Sequence, residues 1–202
     1  TDVQGGVIIH LGCGDGRLTT ALYKNSSYVI QGLDNDAARV ERARATIKAA
    51  GLYGVVSAEY WTASYLPYND NMVNLIVVSD PKMASADELR RVLAPAGVAY
   101  VNSDGSWAKI VQPRREGVDE WTHYLYDASC NPVADDTVVG PPRHLQWTAG
   151  PRHSRSHEVT PSYSTFVSSE GRVFYFADQG SIATLRAPAN WKLMARDAYN
   201  GV

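Results

Sequence analysis

Short apolar runs and helical periodicities alternate along the first hundred residues. Five apolar runs, each bounded by glycine or polar residues, predict β-strands at residues 7–11, 28–33, 55–61, 72–78 and 97–101. The run at 72–78 is almost continuously apolar, as expected for a parallel strand that is covered on both faces. Strands that alternate with helices in this way are typical of a doubly wound, mostly parallel α/β sheet.

The predicted helices between these strands have recognisable ends. Residues 17–24 carry apolar residues four apart, which is enough for a short helix. Asp36 can cap a longer helix, whose apolar residues recur at spacings of three and four, and Gly51 can end it. Ser85 and Glu88 form the S-x-x-E pattern of a capping box before a further helix. We therefore expect helices after the first, second and fourth strands.

The pattern changes after residue 106. Residues 107–161 contain prolines and tryptophans without a sustained period, which predicts an irregular connector. In residues 162–202 strand signals return without helices, separated by turns at 170–171 and 179–180, which predicts antiparallel strands. We therefore divide the chain into a first domain at 1–106, the connector, and a β-structured segment at 162–202.

Composition places few limits on function. The chain has 202 residues, 45% of them hydrophobic and 20% charged, with a formal net charge of -2, so we expect it to fold and expect no nucleic-acid partner. No apolar run is long enough for a membrane span, and no secretory signal is recognisable. The two cysteines, Cys13 and Cys130, are too few for a disulfide framework. Because the sequence starts at Thr1 rather than methionine, we expect it to be a piece of a longer chain.

Glycine occupies every second position from Gly12 to Gly16, directly after the first predicted strand. Glycines at a strand–helix junction allow a sharp turn and the close approach of a ligand to the backbone. The dinucleotide-binding fingerprint G-x-G-x-x-G would need a glycine at position 17, where this chain has Arg17. Asp34 ends the second strand about 20 residues later, where an acid can accept hydrogen bonds from both ribose hydroxyls. Helix capping is the alternative role for Asp34, although Asp36 is better placed for it.

Four segments in order resemble the successive motifs of class I methyltransferases that use S-adenosylmethionine: VIIHLGCGDGRLTTAL, VIQGLDNDAARVERARA, YLPYNDNMVNLIVV and ELRRVLAPAGVAYV. The resemblance spans residues 7–102 and implies a Rossmann-like sheet that lacks the family's usual last strands. It also implies these cofactor contacts: Gly12, Cys13, Gly14 and Gly16 at the methionine end, Asp34 at the ribose, Asn35 at the adenine side, and Thr62 and Ala63 at the adenine rim. It identifies no catalytic residue.

Some positions depart from the pattern of this family. His10, Thr62 and Asn74 stand where the family usually carries acids. Each replacement removes a carboxylate that could accept a charge-assisted hydrogen bond from the cofactor's ammonium group or adenine amine, and such a bond contributes about 1.5–3 kcal/mol. Weakened cofactor binding is therefore expected. Residues 79–81, SDP, match only part of a motif of amino-group methyltransferases, and we interpret them as the lead-in to a helix.

The segments EGRVFYFAD and KLMARDAYNGV resemble part of one blade of a quinoprotein-like (PQQ-like) β-propeller. The residues that fit the blade pattern Ala-x-Asp-x-x-(Thr/Asn)-Gly are Ala195, Asp197, Asn200 and Gly201. A closed propeller needs at least about four blades, and this chain holds one at most, so neither PQQ nor a metal is predicted to bind it. His153 and His157 are four residues apart but lack the remainder of a zinc motif. The whole arrangement is similar to large bacterial multidomain proteins in which a methyltransferase-like domain precedes such a propeller.

These patterns leave three functions open. The leading one is an S-adenosylmethionine-binding, methyltransferase-like protein with an unknown methyl acceptor, whose activity is weakened or lost. The alternatives are a non-catalytic scaffold or assembly module of a larger protein, and a fragment of a quinoprotein-type dehydrogenase whose activity lies in a complete propeller. The expected partners are the small-molecule cofactor and the remainder of a longer chain or a protein complex. We expect an active methyltransferase in the cytoplasm and an exported full-length protein in the periplasm, so the compartment stays open.

Overall fold

The chain forms two compact units, one that ends at Arg114 and one from Arg115 to Gly201. The computed structural model describes residues 2–142, 145–150, 155, 162–184 and 186–202. The sequence pattern ended the first domain at residue 106, whereas a strand begins at that residue and extends the first unit.

The first unit contains one six-stranded sheet. Its strands, numbered in chain order, are β1 (Gly6–Leu11), β2 (Tyr28–Asp34), β3 (Val56–Tyr60), β4 (Val73–Val78), β5 (Leu93–Ser103) and β6 (Ser106–Val111). They lie in the order β3-β2-β1-β4-β5-β6. Neighbours among the first five strands are parallel, and β6 is antiparallel to β5. The predicted mostly parallel sheet is therefore confirmed.

Helices begin where the sequence pattern predicts them. They are α1 (Arg17–Ala21), α2 (Ala37–Ala49) and α3 (Ala86–Val92), with a short 3₁₀ helix at Pro81–Met83. The Asp36 carboxylate caps α2 by accepting hydrogen bonds from the backbone N–H groups of Ala38 and Arg39. The Ser85 hydroxyl caps α3 by accepting from the backbone N–H of Glu88. Capping side chains satisfy N–H groups that have no partner within the helix.

The core lies on both faces of this sheet. Ile8 and Ile9 of β1 are fully buried on opposite faces, because successive side chains of a strand alternate. Ile8 belongs to the cluster that contains the buried face of α2, and Ile9 to the cluster that contains Leu89 of α3. The residues that α2 buries are Val40, Ala43 and Ile47. Burial on both faces explains why β1 and β4 have nearly continuous apolar sequences.

The sixth strand was not predicted. It pairs antiparallel with β5 through a tight turn at Asp104 and Gly105, both of which have positive φ angles, 52° and 87°. An Asp-Gly pair with such angles is the preferred two-residue hairpin turn. Nearly all residues of β6 are exposed. The strand therefore has no buried face that would require an apolar residue at every second position, and the pattern of apolar positions could not identify it. The Asp-Gly pair was the signal that could have identified it.

The second unit contains a three-stranded antiparallel sheet. Its strands are β7 (Tyr163–Ser169), β8 (Arg172–Asp178) and β9 (Trp191–Asp197), in the order β7-β8-β9. These bounds confirm the predicted antiparallel strands and the turn at Glu170 and Gly171. Residues 115–142 and 145–150 form neither helix nor strand beyond an isolated bridge between His123 and Tyr126. Across the described ranges, the helices are all too short or too polar to cross a membrane.

Candidate functional site

The glycine loop, residues 12–16, joins β1 to α1 at the carboxyl edge of the sheet. The strand order reverses between β1 and β4, and open α/β sheets bind ligands in the crevice at such a switch point. The backbone N–H groups of Gly12 and Cys13 donate to the Leu33 carbonyl at 2.9 and 3.2 Å. On the other side, the Ser79 N–H donates to the Leu11 carbonyl at 2.8 Å. The loop is therefore held between the ends of β2 and β4.

The three glycines of the loop have different environments. Their φ angles are 75°, 59° and 79°, in the left-handed region that favours glycine. A Cβ atom at Gly12 would lie 2.8 Å from the Cβ of Asp80, and one at Gly16 would lie 2.7 Å from the Cα of Ala43. A Cβ atom at Gly14 would have no neighbour within 4 Å. Gly12 and Gly16 are needed for close packing, whereas the backbone at Gly14 faces open space that a ligand can enter.

Asp34 holds this loop in place from the end of β2. The residue is fully buried, and its Oδ2 atom accepts a hydrogen bond from the Gly14 N–H at 2.9 Å. Its Oδ1 atom accepts from the Asp36 N–H at 3.0 Å and lies 3.6 Å from the Arg39 guanidinium. A carboxylate can accept about four hydrogen bonds, so acceptor sites remain, but Asp34 is fully buried and a ribose hydroxyl could reach it only if neighbouring atoms moved. The predicted ribose contact therefore stays a prediction, and the contact between Asp34 and the loop is an additional role.

His10 is buried beneath the loop and has partners on both ring nitrogens. Nδ1 lies 2.8 Å from the Thr19 hydroxyl and Nε2 lies 2.8 Å from the Ser79 hydroxyl. Burial lowers the pKa of the imidazole to about 4, against the opposing effect of the Asp34 charge. The ring is therefore neutral at pH 7 and ties α1 to the end of β4. It therefore offers a ligand neither a negative charge nor an exposed polar atom.

Cys13 is almost fully buried. Its side chain is 3% exposed and packs against Gly32, where a Cβ atom would lie 2.7 Å from the Cβ of Cys13. Burial, together with the negative charge of Asp34, raises the pKa of the thiol to about 12. The thiol is protonated at neutral pH, so any contact of this residue with a ligand would be through the main chain.

The remaining predicted contacts lie at the same edge of the sheet. Asn35 follows β2 and is exposed, and Thr62 and Ala63 follow β3. The Trp61 N–H donates to the Asp34 carbonyl at 2.9 Å, which joins the ends of these two parallel strands. The structure thus brings the residues after β2 and β3 to the edge that carries the glycine loop.

A network that the sequence did not reveal fixes the segment after β3. Arg91 of α3 donates to the carbonyls of Leu66 and Tyr68 and to the carboxylates of Asp70 and Glu88. The Glu88 carboxylate also accepts from the Leu66 N–H at 2.5 Å. The S-x-x-E pattern predicted a role for Glu88 in a capping box at the helix end, and the structure shows that its carboxylate binds a segment 22 positions earlier in the sequence.

Asn74 lies far from the glycine loop. It is the second residue of β4, and its Oδ1 atom accepts from the Val7 N–H at 2.9 Å near the start of β1. Val78, at the other end of the strand, is four positions further along, roughly 13 Å away at the usual rise per residue. The expectation that its missing carboxylate weakens a contact at the loop therefore needs correction.

Asp80 is a carboxylate at the site that the sequence analysis did not consider as a ligand. It follows β4 and lies against Gly12, and its N–H donates to the Leu11 carbonyl at 3.3 Å. Its side chain caps the 3₁₀ helix by accepting from the Lys82 N–H at 3.0 Å. The interpretation of SDP as a helix lead-in is confirmed, and the position of Asp80 beside the loop could be known only from the fold.

In the part of the chain that the structure describes, no group of three or more His, Cys, Asp or Glu side chains is placed so that it could hold a metal ion. His153 and His157, which were considered for zinc, lie outside the described residues.

Residues 8–97, somewhat under half of the chain, match a family model described as a methyltransferase domain. A comparison with curated proteins gave no match. Among solved structures, a putative S-adenosyl-L-methionine-dependent methyltransferase from Methanococcus maripaludis is 27% identical, with a TM-score of 0.46, 52% of this chain covered and 51% of that chain. The YcgJ protein from Bacillus subtilis is 25% identical, with a TM-score of 0.41 and coverages of 48% and 43%. The chain spans about half the length of the first of these structures.

Proposed function

We propose that the first unit binds S-adenosylmethionine at the glycine loop and is a methyltransferase-like domain. The observation that carries this proposal is the open space at Gly14. This residue belongs to the glycine loop, which lies at the switch point of the sheet. The match of residues 8–97 to a methyltransferase domain supports the choice of cofactor over other nucleotides. The G-x-G-x-G spacing, with Arg17 in place of a further glycine, also favours it over a dinucleotide.

The proposed contacts are mainly with the backbone. Gly12, Cys13, Gly14 and Gly16 would line the methionine end, Asn35 would lie at the adenine side, and Thr62 and Ala63 would form the adenine rim. Asp34 would accept hydrogen bonds from the ribose after a local movement that uncovers its carboxylate. Asp80, which lies against Gly12, would provide a carboxylate near the methionine end, where neutral His10 cannot. Uncovering the buried Asp34 carboxylate costs free energy, so we expect weaker binding than in a site with an exposed acid.

When bound, S-adenosylmethionine supplies an electrophilic methyl group on a sulfonium. What the chain itself can contribute at the loop is orientation, which accounts for much of the barrier reduction in transfers of this kind. His10 and Cys13 cannot serve as bases at the surface of the loop, because both are buried, the lowered pKa makes the His10 imidazole a weak base, and the raised pKa keeps the Cys13 thiol protonated. The methyl acceptor and the catalytic residues are therefore left unassigned.

Calorimetric titration tests this proposal. The chain is titrated with S-adenosylmethionine and S-adenosylhomocysteine, and with NAD as the control for a dinucleotide site. We expect both methionine-derived ligands to bind with dissociation constants between about 10 μM and 1 mM, and NAD not to bind. A folded chain that binds neither ligand at millimolar concentration would contradict the proposal.

The second candidate is a non-catalytic module that keeps the fold as a scaffold for a larger chain or complex. The observation in its favour is that Asp34, His10 and Cys13 are all buried and engaged within the first unit. Measuring the binding of S-adenosylmethionine together with its consumption distinguishes an active methyltransferase from a non-catalytic module. Binding without turnover, over a panel of acceptors, favours the module.

The propeller resemblance belongs to the second unit and stays a prediction. A propeller blade has about four strands and a ring has at least four blades, and the antiparallel sheet of the second unit has three strands. A quinoprotein-type dehydrogenase would need the complete ring. Reading the full-length gene for further Ala-x-Asp-x-x-(Thr/Asn)-Gly-x-x-x-Trp repeats tests this alternative. The full-length gene sequence would also show whether the protein carries an export signal, which decides between the cytoplasm and the periplasm.

A further inference from the structure

The second unit contains a groove of about 480 Å³, and four of its six lining residues are aromatic. The lining residues are Trp121, Tyr124, Tyr163, Ser164, Thr165 and Phe166. Tyr124 and Phe166 are 67% and 51% exposed, although aromatic side chains of this size are usually buried. The volume lies within the range of small-molecule sites, which are typically about 300–1,000 Å³.

A β-bulge turns Phe166 towards this groove. The register between β7 and β8 shifts between Ser164 and Val167, so that Thr165 and Phe166 together lie opposite Tyr175. Thr165 has a φ angle of 55°, which is rare for a β-branched residue. The Phe166 ring stacks on Tyr175 with a centroid distance of 5.2 Å. Bulges commonly redirect a side chain at a functional site, and here the bulge exposes one face of an otherwise supported ring.

Two hydrogen bonds hold Trp121, on the opposite wall of the groove, against β7. The Trp121 N–H donates to the Ser168 hydroxyl at 2.9 Å, and the Ser168 N–H donates to the Trp121 carbonyl at 2.7 Å. The Trp121 indole N–H donates to the Tyr124 carbonyl at 3.3 Å, and its ring lies 5.6 Å from that of Tyr126. The indole is therefore oriented before any ligand arrives, which lowers the entropic cost of binding.

The charge around this wall is negative. Residues 116–142, which include Trp121 and Tyr124, contain six acidic residues and neither lysine nor arginine. A hydrogen bond from the Tyr126 hydroxyl holds the pKa of Asp119 below its usual value, so this carboxylate is ionised at neutral pH. On the other wall, the positive charge of Arg196 acts on Tyr163, but its guanidinium donates to the Tyr175 hydroxyl and to the Gly201 carbonyl and is not among the lining residues.

We propose that this groove binds a small organic cation with methyl groups on its nitrogen, a quaternary ammonium ligand. The aromatic faces attract such a cation through their quadrupoles and also provide apolar contact for its methyl groups. The acidic segment adds long-range attraction for a positive charge and disfavours anions. A neutral apolar ligand could contact the same aromatic faces, but the negative charge of the acidic segment would not attract it.

A pair of ligands that differ only in charge tests this proposal on the full chain. Choline is compared with 3,3-dimethylbutan-1-ol, which has a carbon atom in place of the nitrogen, and the Trp121 indole N–H is followed by NMR. We expect choline to bind in the millimolar range and the neutral analogue to bind about tenfold more weakly or not at all. Equal affinity for both ligands, or no shift with either, would overturn the proposal.

Two variants locate the site. Phe166→Leu removes the exposed ring from the groove and should weaken choline binding about fivefold to tenfold. Trp107→Leu changes a tryptophan of similar exposure, 46%, in the first unit and should leave the affinity unchanged. If Phe166→Leu does not fold, the comparison of the two ligands on the unaltered chain still decides the matter. Equal loss in both variants would also count against the groove.

Discussion

The Asp34 carboxylate accepts a hydrogen bond from the Gly14 N–H at 2.9 Å, although 20 residues separate them in sequence. This bond joins the end of β2 to the glycine loop at the carboxyl edge of the sheet. The acid that the sequence marks as a cofactor ligand is therefore also the residue that shapes the loop. Loop conformation and cofactor affinity should respond together to changes at Asp34.

Asp34→Asn should lower the free energy of unfolding by about 1–3 kcal/mol. The substitution replaces one acceptor oxygen by a donor, so either the Gly14 or the Asp36 N–H loses its partner, and Arg39 loses an opposing charge. Urea unfolding measures the change. Asp36→Asn is the matched control, because asparagine caps helices about as well as aspartate. A similar loss in both variants would show that the loop does not depend on Asp34.

His10 should make the stability of the chain depend on pH. Its folded pKa of about 4 lies below the ordinary value of 6.5, so the unfolded chain takes up the proton first as the pH falls. Stability that is present above pH 6.5 is therefore lost between pH 6.5 and about 4. Between pH 7.5 and pH 5 the unaltered chain should lose about 2 kcal/mol more than His10→Gln, which cannot titrate. Parallel pH profiles of the two proteins would contradict the assigned burial.

Cys13 and Cys130 should differ strongly in reactivity. Cys13 is buried and its thiol has a pKa of about 12, whereas Cys130 is exposed, and alkylating reagents attack the thiolate. Iodoacetamide at pH 7.5 should modify Cys130 in the native chain and both cysteines in urea, as read by peptide mass spectrometry. Native modification of Cys13 at a comparable rate would mean that the loop opens readily.

The succession of strands and helices along the first unit could be predicted from the sequence. Strands that are buried on both faces of the sheet need runs of apolar residues, and Asp36 and Ser85 are recognisable helix caps. The exposed strand β6 has no such pattern. The site could be predicted only in part. The glycines and Asp34 follow a local spacing, but the partners of His10 at Thr19 and Ser79 are brought together by the fold. The place of Asp80 beside Gly12 likewise depends on strand order rather than on spacing.

Arg91→Lys should loosen the segment between β3 and β4. A lysine cannot reproduce the bonds that the Arg91 guanidinium makes to the Leu66 and Tyr68 carbonyls while it pairs with Glu88. We expect a loss of about 1–2 kcal/mol in stability and faster amide hydrogen exchange in residues 61–72. Arg90→Lys, at an exposed neighbouring position, is the control. Unchanged exchange in Arg91→Lys would show that the network does not hold this segment.

The proposed function requires that a ligand occupies the space beside Gly14, and a pair of glycine substitutions probes this space. Gly14→Ala and Gly51→Ala both place a methyl group in open space at positive φ, 59° and 71°, so each should cost about 1–2 kcal/mol of stability through backbone strain. Gly51 follows α2, away from the loop.

Calorimetric titration with S-adenosylhomocysteine is therefore carried out on the unaltered chain and on both variants. We expect Gly14→Ala to bind at least about tenfold more weakly than the unaltered chain, a change of about 1.4 kcal/mol, and Gly51→Ala to bind as the unaltered chain does. Equal affinity in all three proteins, or no binding to the unaltered chain, would contradict the proposed function.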